Sequence, residues 1–402
     1  MDPFDENAIN SSDDEDTDII DENTCTDAEL NELFSNQYHL TSEECVSLKR
    51  TYILHMASSK SFDRIITGTS SGSVHLYDIA SGLSKLKTPK CLDALSSSIT
   101  GIKYASSSLE SVLVSTAESV LMVDLRSDEI VHTFSDDRDS VRKKPFNSFD
   151  INNNDRIVCA GTEQGDQEAY LLFFDVRKKA LLGAYWDSHQ DDITDVKFHS
   201  KNPDLILSGS TDGLICAFDI SQTDEDDALL CTLNTDSSVG NINWHENSMG
   251  KDLVSCITHT NDLQLFNAED FDEAELLKAF DRETVAQHIK RKSVMDCTLI
   301  DCHNTSNNEI LLLAGSNYEK GKCLRSLVYR NETLVPSTDF VGNKQIVRTS
   351  LFNAKTNMLI TGGENGLITI WSIGAAENTN TVVNKSSKLK EKAYKKHKSV
   401  PY

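Results

Sequence analysis

Two short stretches carry side chains of the types that bind metal ions or transfer protons. The first holds His189, Asp191 and Asp192, and the second, "CTLIDCH", holds Cys297, Cys302 and His303. A protein zinc site needs three or four converging ligands. No further ligand is identifiable near the first stretch, and no second cysteine pair completes the second. The simpler interpretation is a histidine in a structural network beside two solvated acids, and a strand with core cysteines.

The chain lacks the short motifs that accompany many catalytic sites. A glycine-rich phosphate loop, a nucleophile elbow and an H-E-x-x-H pair are absent from the sequence. The ten cysteines show no C-x-x-C spacing, and Cys159, Cys216 and Cys256 lie inside apolar, strand-like runs. Buried reduced thiols are typical of intracellular proteins. We therefore predict a protein without enzymatic activity, metal or cofactor, located in the cytoplasm, the nucleus or both.

Charge divides the 402 residues into three parts. Residues 1–48 contain fifteen Asp or Glu and no Lys or Arg, whereas residues 385–398 contain seven lysines and one glutamate. Since the net charge is −24, the part between these ends is also acidic and repels phosphate backbones. No apolar run approaches the ~20 residues of a membrane span. Neither a specific nucleic-acid partner nor a membrane is expected.

Both ends have the composition of tails, because segments so rich in one charge bury too little apolar surface to offset the entropy of ordering. We predict an acidic disordered tail at residues 1–30, the folded domain at residues 31–374 and a basic flexible tail at residues 375–402. Ser11 and Ser12 precede a carboxylate run and are predicted phosphorylation sites of an acid-directed kinase. A merely solubilising front tail, and a solvated or nuclear-import lysine tail, are the other interpretations.

A repeated unit fills the middle of the chain. It consists of an apolar run, a polar turn with glycine, and a second apolar run that ends near an acid, as in "LILSGSTDGLICAFDI" (205–220). Seven copies end at residues 78, 124, 175, 219, 267, 330 and 371. Shorter alternating strands precede the copies, and outer strands such as "LLGAYW" (181–186) follow most of them. A period mostly in the forties with four strands per unit predicts an all-β fold, a seven-bladed β-propeller.

Two local assignments leave alternatives. "LLKAF" (276–280) fits an outer strand, but its charged surroundings also fit a helix, and we favour a strand followed by a surface excursion. "LFSNQYHLT" (33–41) is the only unassigned strand-like run near the front. We predict that it completes the seventh blade, so that the two ends of the domain latch together and leave no free edge. "TVV" (381–383) is the rival for that position.

The fourth unit, "SHQDDITDVKFHSKNPDLILSGSTDGLICAFD", resembles the WD-repeat family, and this resemblance extends over nearly all of residues 35–373. The family places a histidine before the inner strand, a serine in the second strand and an aspartate in the next turn. The resemblance therefore implies that His189, Ser208 and Asp212 form the buried hydrogen-bond network of the family. The chain departs from the pattern at Ser188, where the family has glycine, and at Phe218, which has no N–H to donate.

A propeller presents rigid loops on two faces, which suits the recognition of other proteins. We therefore predict a non-enzymatic protein–protein interaction scaffold of the WD-repeat type. The alternative is a substrate receptor of a cullin-RING ubiquitin ligase. Two successive third strands end in Asp-x-Arg, with Asp124 and Arg126 in one and Asp175 and Arg177 in the next. In WD-repeat receptors a similar ending docks the ligase adaptor through planar guanidinium groups, whereas in other members it only ends a strand.

Overall fold

The computed structural model describes residues 22–92, 95, 97–136, 144–165, 168–318 and 321–373. Within these residues, seven four-stranded antiparallel sheets form the predicted seven blades. Each inner strand contacts the inner strands of both neighbouring blades, and the inner strand of the last blade contacts that of the first. The ring is therefore closed around a central channel.

Six blades follow the chain order from the inner to the outer strand. Blade 1 is Ile53–Ser58, Arg64–Thr69, Val74–Asp78 and Ser84–Lys85; blade 2 is Ile99–Tyr104, Ser111–Thr116, Val120–Asp124 and Glu129–Phe134. Blade 3 is Phe146–Ile151, Ile157–Thr162, Leu171–Asp175 and Ala180–Tyr185; blade 4 is Ile193–Phe198, Leu205–Ser210, Leu214–Asp219 and Leu229–Asn234. Blade 5 is Val239–Glu246, Asp252–Thr258, Leu263–Asn267 and Leu276–Phe280; blade 6 is Thr298–Asn304, Ile310–Gly315, Leu324–Arg330 and Thr333–Asp339.

Blade 7 joins the two ends of the domain. Its strands are Val347–Asn353, Met358–Gly363 and Leu367–Ile373, and the outer strand is Tyr38–Cys45 from the front of the chain. Tyr38 lies opposite Ile373 in an antiparallel register that continues to Cys45 and Leu367. The predicted latch is confirmed, and the rival "TVV" lies outside the described residues.

The antiparallel order gives the propeller two different faces. In every blade the turns between strands one and two, and between three and four, lie on one face, which we call the opposite face. The turns between strands two and three, and the connections from blade to blade, lie on the other face, which we call the connecting face. Loops from all seven blades therefore meet on each face.

The hydrophobic core lies between the blades. Seven clusters of buried apolar side chains occur among the described residues, one at each interface between neighbouring blades. The glycine of the repeated unit belongs to this packing. A Cβ atom on Gly209 of blade 4 would lie 2.5 Å from Cγ1 of Val239, the first residue of the next inner strand. The second strand needs glycine there because the next blade packs against its backbone.

Residues 22–37, which we call the N-terminal strap, lie against blade 6. Helix α1 (Asp27–Leu33) begins with a capping box between Thr26 and Glu29. It buries Leu30, and Phe34 directly after it, in the core between blades 5 and 6. Prediction of disorder up to residue 30 is therefore wrong for residues 22–30, because these two apolar side chains repay the ordering of the segment. Residues 1–21 and 374–402, with the rest of the predicted tails, lie outside the described residues.

A polar contact also holds the strap. Oδ1 of Asn23 accepts N–H groups from two buried guanidinium groups, those of Arg291 at 3.1 Å and Arg325 at 2.9 Å. Arg291 forms a buried ion pair with Asp296, and Arg325 bonds Asp339 at 3.1 Å. Removing the strap would therefore deprive each of these two buried guanidinium groups of one hydrogen-bond acceptor.

The region after blade 5 departs in part from the sequence prediction. Leu276–Phe280 is the favoured outer strand, but the next turn of chain is helical, in α3 (Arg282–His288). Helix α2 (Glu225–Ala228) is a four-residue segment in blade 4. The described residues outside the sheets also form three 3₁₀ turns: Lys90–Leu92, Phe271–Glu273 and Val294–Asp296. The inner strand of blade 6 begins only at Thr298, because Val294–Asp296 is a 3₁₀ turn whose Asp296 pairs with Arg291.

Candidate functional site: side-chain networks and the two faces of the propeller

The structure brings the three network residues of blade 4 together. His189 lies in the connection from blade 3, where its Nδ1 is 3.0 Å from Oδ2 of Asp212 and its Nε2 is 2.7 Å from Oγ of Ser208. The other carboxylate oxygen of Asp212 accepts the backbone N–H of Leu214 at 2.9 Å. Phe218 is fully buried beside them and donates no hydrogen bond. The network fixes the connection to the blade without the family's tryptophan.

The carboxylate decides the charge of this network. Burial is the largest single influence and lowers the pKa of His189, but the hydrogen bond and charge of Asp212 together with the neighbouring Cys216 outweigh it and raise the pKa to about 9. Burial in turn raises the pKa of Asp212, while the bond with His189 lowers it, and the net direction is down. His189 is therefore an imidazolium at neutral pH and donates to both partners.

Blade 5 contains a second histidine network that sequence reasoning missed. Nε2 of His245 is 2.7 Å from Oγ of Ser255, and its Nδ1 is 2.8 Å from Oδ1 of Asn304 in blade 6. Burial lowers the pKa of His245 to about 4, because the Asn304 amide supplies a hydrogen bond without a charge. This histidine is at the end of an inner strand, not before one, so no signal in the repeat identifies it.

The tryptophan contact that blade 4 lacks is present in blade 7. Nε1 of the fully buried Trp371 donates to Oγ1 of Thr361 on the neighbouring strand at 3.0 Å. "MLITGGENGLITIW" (358–371) contains both residues, and its final tryptophan is the signal in the sequence that could have identified this contact.

The two possible metal stretches take part in ordinary packing. Oδ1 of Asp192 accepts the backbone N–H of Gln164 at 2.7 Å, which ties blade 4 to blade 3. Cys297 and Cys302 are buried, and Nε2 of His303 is 2.8 Å from Oγ of Ser350 in blade 7. In the part of the chain that the structure describes, no three His, Cys, Asp or Glu side chains are placed to hold a metal ion.

The Asp-x-Arg endings lie in turns on the opposite face. Oδ1 of Asp124 accepts the backbone N–H of Arg126 at 2.8 Å, and Oδ1 of Asp175 accepts that of Arg177 at the same distance. Both arginine side chains are exposed. Asp219 makes the same kind of contact in blade 4, where no arginine follows. The aspartates therefore shape the turn, whatever the arginines bind.

Charged side chains of the inner strands join neighbouring blades along the channel. Asp150 pairs with Lys103 of blade 2 at 3.1 Å and accepts the backbone N–H of Phe198 in blade 4 at 2.9 Å. Asp195 pairs with Lys197 at 3.2 Å and accepts the backbone N–H of Ile242 in blade 5 at 3.1 Å. These carboxylates have paired cations and backbone donors, so they link each inner strand to its neighbours.

Exposed apolar side chains are distributed differently on the two faces. On the connecting face, three consecutive blade connections expose Met295, Val341 and Leu48, which are 62%, 74% and 64% exposed. Trp186 is also exposed there, after the outer strand of blade 3. On the opposite face the exposed apolar residues Leu109, Met249 and Ile373 belong to blades 2, 5 and 7, which are not neighbours. We call Met295, Val341 and Leu48 the apolar arc.

The fold, the blade 4 network and a comparison with family models agree on the class of this protein. The model of the WD domain, G-beta repeat, matches residues 182–219, which span most of blade 4 and the connection that carries His189. The chain is a seven-bladed β-propeller in which one stretch, residues 182–219, matches a WD repeat. Such propellers are generally interaction scaffolds without catalytic activity.

Among individual proteins, the chain is similar to a WD repeat-containing protein 89 homolog of Dictyostelium discoideum, which is 24% identical over 257 residues, covering 63% of this chain and 68% of its own length. An uncharacterized WD repeat-containing protein of Saccharomyces cerevisiae is 26% identical over 318 residues, covering 76% and 75%. Another from Schizosaccharomyces pombe is 26% identical over 318 residues, covering 76% and 91%.

In the described part of the chain, none of the helices has the length and apolar character that a membrane crossing requires.

Proposed function

We propose that the protein is a non-enzymatic scaffold that binds other proteins on its connecting face. The apolar arc carries this proposal. Large apolar side chains scattered singly over a surface are normal, but one in each of three successive connections gives the connecting face a repeated apolar character that the opposite face lacks. These side chains are mostly exposed and contribute little to the packing between blades. Their burial by a partner would contribute about 1.5–3 kcal/mol of binding free energy for each side chain.

Two matched triple variants test the proposal. Leu48→Asp, Met295→Asp and Val341→Asp together place three charges on the connecting face, and Leu109→Asp, Met249→Asp and Ile373→Asp place three on the opposite face. All six side chains are exposed, so thermal melting should confirm that both variants fold. Quantitative mass spectrometry of co-purified proteins should show loss of partners in the first variant and retention in the second. Equal recovery by both variants would reject the connecting face as the binding surface.

The ligase-receptor alternative stays a prediction from the sequence. Replacing Arg126 and Arg177 by Ala should change the free energy of unfolding by less than about 1 kcal/mol, because both side chains are exposed. If the protein is a receptor, the double variant should no longer recover the ligase adaptor. Undiminished recovery, or no adaptor with the unsubstituted protein, would remove this alternative.

A further inference from the structure

An open depression of about 590 Å³ lies on the connecting face, at the connection from blade 7 to blade 1. Its lining consists of Ser47, Leu48, Lys49, Arg50, Thr51, Ser71 and Ser73. The lining contains two cations and several hydroxyl groups but no acid, in a chain whose net charge is −24. Lys49 is exposed and forms no ion pair with any residue that the structure describes. The chemistry of the depression therefore suits an anionic segment with an apolar side chain for Leu48.

We propose that the depression binds residues 1–21 of the same chain. These residues contain nine Asp or Glu, no Lys or Arg, and the apolar side chains Phe4, Ile9, Ile19 and Ile20. The described chain begins on the same face as the depression. The carbonyl oxygen of Glu22 accepts the backbone N–H of Lys292 at 3.1 Å, and Lys292 lies in the connection from blade 5 to blade 6.

The length of chain before Glu22 fits this distance. The depression is two blades away from Lys292, and packed sheets lie about 10 Å apart, so the gap is about 20 Å near the ring and larger outward. Asp13, Asp14, Glu15 and Asp16 stand six to nine residues before Glu22, and an extended chain of that length reaches about 20–30 Å. An extended acidic run is therefore long enough to span two blade steps near the ring without displacing the strap.

Attachment to the same chain makes even weak contacts effective, because a short tether gives an effective concentration in the millimolar range. The bound segment would cover Leu48, one end of the apolar arc, and so compete with partners on the connecting face. Phosphate on Ser11 or Ser12 would add about −1.5 to −2 charge each and strengthen the contact. This regulation goes beyond the scaffold function, and its test needs no partner.

The experiment uses the purified full-length chain. A zero-length carbodiimide reagent should cross-link Lys49 to carboxylates of residues 13–16, and high salt should reduce the yield because screening weakens exposed ion pairs. In the variant Asp13→Asn, Asp14→Asn, Glu15→Gln and Asp16→Asn, the acetylation rate of Lys49 should rise about threefold or more as the lysine is released. Peptide mass spectrometry measures both quantities.

Two lysines in the same molecule serve as controls. Lys60 and Lys355 are exposed on the opposite face, so their acetylation rates should be the same in both proteins. An unchanged rate at Lys49, or cross-links from residues 13–16 only to other lysines, would overturn the proposal. Since the test reads Lys49 and not partner recovery, a failure here leaves the scaffold function untouched.

Discussion

Exchanging the acceptor of each buried histidine should exchange the charge of the ring. His189 and His245 both contact a serine through Nε2, and they differ in that Nδ1 meets the carboxylate of Asp212 in one case and the amide of Asn304 in the other. In Asp212→Asn the largest contribution that raises the pKa of His189 is lost, so burial should bring that pKa down to 6.5 or below. In Asn304→Asp, the new carboxylate should raise the pKa of His245 from about 4 to above 6.5.

The size of the effect follows from the pKa of His189. A folded value of about 9, against 6.5 for an unperturbed histidine, corresponds to about 3 kcal/mol at 1.36 kcal/mol per pKa unit. Because the folded pKa is raised, this stability is fully present below pH 6.5 and is lost as the pH rises from 6.5 through 9. The difference in unfolding free energy between the unsubstituted chain and Asp212→Asn should therefore be largest at pH 6 and shrink by about 3 kcal/mol by pH 9.5.

Urea unfolding at pH 6, 7.5 and 9.5 measures this difference, and NMR titration of the imidazole Cε1–H groups measures the pKa values directly. Asp227→Asn is a matched control, since it removes the same charge from an exposed position in blade 4. A difference between the unsubstituted chain and Asp212→Asn that is constant with pH would refute the reasoning. So would a His189 pKa that remains near 9 in that variant.

Three further predictions concern the fold. Deleting residues 1–21 should leave the melting temperature unchanged, whereas deleting residues 1–30 should lower it by several degrees, because the second deletion removes the Leu30 and Asn23 contacts of the strap. Gly209→Ala should cost about 1–3 kcal/mol in urea unfolding, since its Cβ would meet Val239, whereas Gly183→Ala on an open outer strand should change stability by less than about 0.5 kcal/mol. Trp371→Phe should cost about 1–3 kcal/mol in the same assay, because the hydroxyl that accepts its N–H is buried.

The repeat predicts most of the fold because its period is long and its strands alternate. The sequence alone led to seven blades, four strands in most of them and a latch from residues 33–41, which overlaps the strand Tyr38–Cys45 of the structure. The prediction of disorder fails near the front of the domain, because the local composition there is misleading. Residues 22–30 are acidic, yet Leu30 and Phe34, four residues apart, hold the strap against blade 6. An acidic average conceals two apolar residues, one inside a short helix and one directly after it, that are buried in the same core.

The candidate sites also differ in how far the sequence predicts them. The network of His189, Ser208 and Asp212 follows the family pattern at fixed places in one blade, so the sequence identifies it. The network of His245 joins two blades through Asn304, and the arc from Met295 through Val341 to Leu48 joins three connections. Sites of this kind combine residues from different blades. Their prediction requires knowing which blades are neighbours in the closed ring, and the spacing of residues within one repeat does not contain that information.

The most direct test of the scaffold proposal is lysine cross-linking of the protein purified together with its bound partners, followed by mapping of the linked residues. Lys49, Lys292 and Lys344 lie in connections on the connecting face, and Lys60, Lys178 and Lys355 lie in turns on the opposite face. The proposal predicts that cross-links to partner proteins concentrate on the first three lysines. Cross-links concentrated on Lys60, Lys178 and Lys355 would contradict it.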